Sequence, residues 1–147
     1  MPVTAATVKE RIRSTIEAIT TPDGSPQFER AHENQDLEER APVSGAKREF
    51  HVWEAGGQIG AYTHPAESES IETLVVVVYY PGEADMQSGD DTIRADMQRI
   101  RAALDNPVSW GSDVVHQQVR EWIAPKLSRD MRVLTLPVIV HFFESNT

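Results

Sequence analysis

Residues 71–80 read Ile-Glu-Thr-Leu-Val-Val-Val-Val-Tyr-Tyr and are closed by Pro81-Gly82. The run is β-branched and aromatic, which suits a pleated strand. It is far too short to cross a bilayer as a helix. Val75, Val76, Val77 and Val78 put apolar side chains on both parities, so the stretch predicts a central strand covered on both faces.

Working outward, residues 49–54 (Glu-Phe-His-Val-Trp-Glu) form another strand pattern, with Phe50 and Val52 alternating with His51 and Trp53. Gly56-Gly57 then reads as a turn, and residues 58–63 as the returning partner of a hairpin. Residues 66–70, Ala-Glu-Ser-Glu-Ser, read as an acidic loop. Downstream, Asp90 and Asp91 offer N-caps for a helix whose apolar stripe is Ile93, Met97, Ile100 and Leu104, ended by Asn106-Pro107. Residues 114–123 fit a helix through Val115, Val119, Trp122 and Ile123, and a twisted strand equally well. Residues 131–143 form a long strand run in which Pro137 points to an edge position or a bulge.

At the other end, Val8, Ile12, Ile16 and Ile19 recur at helical spacing over residues 5–20. Thr7 with Glu10 suggests a capping box, and Pro22-Asp23-Gly24 stops the helix. Residues 21–47 are polar and broken by Pro22, Pro26 and Pro42, with Phe28, Leu37 and Val43 as apolar anchors. Such a length without structure is unusual inside a domain. It reads as a short strand at residues 27–32 within an arm that orders on a partner. The whole predicts one α+β domain over residues 1–147: a mainly antiparallel sheet, two helices packed on one face, and a long polar loop or arm.

Composition narrows the function classes. The 147 residues carry 23 acidic and 14 basic side chains, a net charge of −9. That argues against holding nucleic acid by its phosphates, which needs clustered Lys and Arg. Lys9, Arg11 and Arg13 fit the solvated side of the first helix. With no cysteine, disulfides and thiolate metal sites are excluded. Residues 1–6 lack the basic start and apolar stretch of a signal peptide, so a cytoplasmic location without a membrane partner is expected.

Catalytic patterns are missing. Gly56, Gly57 and Gly60 lie between strands without the Lys-Ser/Thr or following helix of a phosphate loop. No serine sits in a nucleophile elbow, and Ser44-Gly45 is a loop. His32, His51, His64, His116 and His141 are scattered. The best metal set, His64 with Glu67 and Glu69, lies on one flexible loop and lacks fixed outer contacts. His51 and His141 read as partly buried sheet residues. Asp90 and Asp91 read as caps, and Asp96 as facing away from the apolar stripe. The reading is a non-enzyme without cofactor or metal. Trp53 and Trp122 are assigned to packing, whereas Trp110, in the loop after a helix, is either a plug over the core or an interface anchor.

Taken together, the N-terminal helix, the polar insertion, the strand at 49–54, the Val-Val-Val-Val-Tyr-Tyr-Pro strand, the helix at 92–104 and the closing strand at 134–143 resemble the tail terminator (tail completion) proteins of long-tailed bacteriophages and phage-derived particles. The resemblance lies in order and texture and covers most of the chain. It implies a structural virion protein, assembled in the host cytoplasm, whose ring, hexameric in the family, caps the tail tube and joins tail to head. Its implied partners are further copies of itself, the tail tube protein and a head–tail connector or neck protein, with DNA passing through unbound. Phe28, Leu37 and Trp110 are then candidate interface anchors. Glu33, Asp36, Glu38, Glu39, Glu67 and Glu69 are candidate acids lining the lumen. Another neck component such as a connector or stopper, a small cytoplasmic binding domain, and an enzyme whose site forms on oligomerisation remain as alternatives.

Overall fold

The valine run lies at the centre of the sheet, as its composition requires. In the computed structural model, which describes residues 4–20, 28–30, 48–64, 67–81, 86–106, 110, 114–119, 123–128 and 131–145, it belongs to strand β3 (Glu67–Pro81). The elements in chain order are α1 (Ala5–Glu17), β1 (Phe28–Arg30), β2 (Arg48–His64), β3, α2 (Met86–Leu104), β4 (Val114–Val119), β5 (Ile123–Ser128) and β6 (Met131–Ser145). The sheet order is β1-β2-β3-β6-β4, and β5 also pairs with β6. β1 runs parallel to β2, and every other pairing is antiparallel. This is the α+β class expected.

One parity of the sheet forms the core. Phe50, Val52, Leu74, Val76, Val78, Leu134, Leu136, Val138, Val140 and Phe142 are buried together with Val8, Ile12 and Ile16 of α1 and Ile93, Met97, Ile100 and Leu104 of α2. Both helices therefore pack on the same face. Val75 and Val77 point to the opposite face and are only half-buried. The expected cover on both faces is not found among the described residues: four valines satisfy either parity, and the helices choose one. A small second cluster on that other face joins Tyr79 to Val77 and Val133.

The N-cap of α1 is Thr4, whose Oγ1 accepts from the Thr7 N–H at 3.1 Å, so the cap lies one turn before the Thr7–Glu10 pair. Glu10 is used elsewhere. Arg30 of β1 donates to both Glu10 carboxylate oxygens at 2.9 Å and also reaches Glu17, clamping the edge strand to α1. The Arg30 hydrogen bond holds the Glu10 carboxyl below the usual carboxylate range, and the same contact raises the guanidinium. That stabilisation is present above the unfolded-state value of Glu10 and is lost as pH falls through the folded one. Solvent exposure keeps the pair to about 0.2–1 kcal/mol.

Several boundaries differ from the sequence expectations. Gly56-Gly57 is no turn: β2 runs on to His64, and the register shifts between Glu54 and Gly56, marking a bulge. Gly56 has φ +131°, a conformation only glycine adopts without strain. A Cβ on Gly57 would stand 2.7 Å from the Ile71 carbonyl oxygen and 2.6 Å from Glu72 Oε2. Backbone cannot retreat as a side chain can, so Gly57→Ala should cost about 1–3 kcal/mol, read as a lower urea midpoint. The hairpin partner of β2 is β3 itself, which takes up the stretch read as an acidic loop. α2 starts at Met86, so Asp90 and Asp91 lie within the helix and do not cap it.

Residues 114–119 and 123–128 are strands, not helix. They follow each other along one side of β6, Val119 pairing with Val138 and Ile123 with Thr135. Proline has no N–H to give a neighbouring strand. β6 is nevertheless an interior strand, so Pro137 sits neither at an edge nor at a bulge on the β3 side, where it pairs with Val75. Of the insertion at 21–47, residues 28–30 form the short strand expected. The arm reading for the rest, with Leu37, lies outside the described residues, as does Trp122.

Candidate interaction face

Polar side chains that do converge are structural. Asp96 is fully buried, accepting from Tyr80 Oη at 2.9 Å on Oδ2 and from Arg99 Nη1 at 3.2 Å on Oδ1. The contact ties α2 to the end of β3. Asp96 was expected to face away from the stripe. At helical spacing it stands only roughly 60° from Ile93, close enough to share its buried side.

Trp110 closes the other end of α2. Its indole Nε1–H donates to the Leu104 carbonyl at 2.6 Å, satisfying one of the carbonyls a helix C-terminus leaves open. Arg11 of α1 donates to the Trp110 carbonyl, and the Val119 N–H of β4 donates to Asp105 Oδ1 at 3.3 Å. Trp110 is a plug over the core, 2% exposed, and Phe28 is equally buried. Both candidate interface anchors are thus committed to the chain's own interior and present no surface to a neighbour.

The candidate lumen acids divide. Glu67 and Glu69 belong to β3 instead of a loop, and the Glu69 carboxylate meets His141 Nε2 of β6. Glu33, Asp36, Glu38 and Glu39 lie outside the described residues. No group of three or more His, Cys, Asp or Glu that could hold a metal occurs among the side chains described. No described helix is long and apolar enough to cross a membrane. Two open grooves of about 450 and 500 Å³ run beside α1, sharing Ser14 and Thr15 in their walls.

What remains is the sheet face away from the helices. Trp53 stands there 51% exposed, the large hydrophobic side chain left in water among the described residues. Its register partner is Val75, and the His51 ring meets it edge-on at 4.7 Å. Val77, opposite His51, and Pro137, opposite Val75, carry the apolar strip across β3 to β6. The sequence reading assigned Trp53 to packing. Its place one residue after Val52 and three after Phe50 shows the alternation, but not which parity the helices would cover. A half-exposed tryptophan beside half-buried valines is the texture of a contact surface.

No known protein family matches this chain. No curated protein matches it either.

Proposed function

We propose that the chain is an assembly subunit, a tail terminator of a long-tailed bacteriophage or related particle, acting through interfaces and not through catalysis. The observation that carries the assembly reading is Trp53 on an apolar strip outside the core. The buried polar contacts at Asp96 and Trp110 support it from the other side, because both serve packing. The assignment to a virion rests on the resemblance in order and texture of the N-terminal helix, the polar insertion, the strand at 49–54, the valine strand, the helix at 92–104 and the closing strand at 134–143.

In this reading the subunits close into a ring at the end of the tail tube, beneath a head–tail connector or other neck protein. The acidic balance keeps passing DNA off the wall, since a basic lining would bind phosphate with release of counterions. Trp53→Ser should leave the fold intact, because the side chain is half in water already. It should weaken self-association by about 2 kcal/mol or more, the scale of an aromatic anchor. Sedimentation velocity against the unchanged chain checks this, with circular dichroism as the control for folding.

A further inference from the structure

Two surfaces of the chain complement each other, and they lie on opposite sides of the sheet. Trp53 stands with Val75 and Val77 on the face away from the helices. Its indole brings a flat apolar ring and one N–H that can only donate. On the helix side, a groove of about 500 Å³ runs between the ends of α1 and α2, walled by Ser14, Thr15, Ala18 and Ile19 and by Ala103 and Asn106. Thr15 Oγ1 donates to the Arg11 carbonyl at 2.7 Å, and Ser14 Oγ to Glu10 Oε1 at 3.3 Å. Each hydroxyl has a single proton, so both offer acceptor lone pairs to an incoming donor.

Charge follows the same division. Helices α1 and α2 hold six Lys or Arg against five Asp or Glu, whereas β2 and β3 hold one against five. In a chain of net charge −9, the helical layer of one copy is the side that the acidic hairpin of another meets with least repulsion. We propose that the groove between α1 and α2 receives Trp53 of a second copy. The inference rests on the assembly reading above and names the surface that Trp53 meets. The ring lies between Ala18 and Ala103, and its N–H donates to a hydroxyl of Ser14 or Thr15. Because the two patches differ, copies join head to tail, the kind of contact that closes into a ring where the rotation between subunits allows.

Sedimentation velocity on the full chain tests the pairing, with Ala18→Glu to fill the groove and Trp53→Ser to remove its occupant. Ala18 is exposed at the C-cap of α1, so its substitution leaves the core untouched. Each variant alone should self-associate roughly thirtyfold more weakly than the wild-type chain. Mixed in equal amounts, the two should form a one-to-one pair and nothing larger, because Trp53 of one variant meets the open groove of the other. If Ala18→Glu loses its circular dichroism spectrum, Ser14→Gln takes its place. A groove variant that assembles as the wild type does, while Trp53→Ser does not, overturns the pairing and leaves the assembly reading standing. A mixture that stays monomeric does the same. A wild-type chain that never self-associates removes both.

Discussion

Val76→Asp is expected to abolish cooperative folding, whereas Val75→Asp, one residue away, is expected to leave a folded chain. Val76 has no exposed surface and packs in the cluster shared by both helices and the sheet. A carboxylate there finds no partner in an interior of Val, Leu and Ile, and the penalty is several kcal/mol even after the group protonates. A domain of this size holds only about 5–15 kcal/mol in total. Val75 is half-buried on the open face, where an aspartate can reach water, so its cost falls to about 1–2 kcal/mol. Urea unfolding followed by circular dichroism separates the two. Equal loss of structure in both variants would mean that the second face is covered as tightly as the first.

The second large effect is expected at Trp110. Trp110→Ala empties a large buried site where α1 and α2 meet, for a loss of about 3–5 kcal/mol. Trp110→Phe retains most of the volume but leaves the Leu104 carbonyl without its indole donor. It should cost about 1–3 kcal/mol. The ratio of the two midpoint shifts checks the account. An exposed interface anchor would behave otherwise, with both substitutions leaving monomer stability near the wild-type value.

The elements legible in the sequence were those with one dominant period. The stripe Val8, Ile12, Ile16 placed α1, and the valine run placed β3 at the sheet centre. Where local chemistry serves two ends, the reading failed. A glycine pair between strand residues makes a turn or a bulge with equal ease, and at Gly56-Gly57 it makes the bulge, so the pairing of β2 with β3 runs on to His64 and Glu67. Residues 114–119 carry valines that fit a helix as well as a strand, and only the pairing with β6, remote in sequence, decides for the strand. The candidate surface was less legible than the fold. Phe28 and Trp110 carried the look of anchors because their neighbours are polar, yet each has a core partner that only the tertiary arrangement brings near. Trp53 looked like core because its strand did. Parity relative to the helices decides between them, and no local pattern encodes it.

The proposed function requires self-assembly into a ring. Its most direct test is the oligomeric state of the full chain, measured by native mass spectrometry alone and after mixing with cognate tail tubes. A closed ring of identical subunits, retained on the tubes and lost in Trp53→Ser, is the predicted result. A chain that stays monomeric in both samples, with Trp53→Ser indistinguishable from it, would contradict the proposed function.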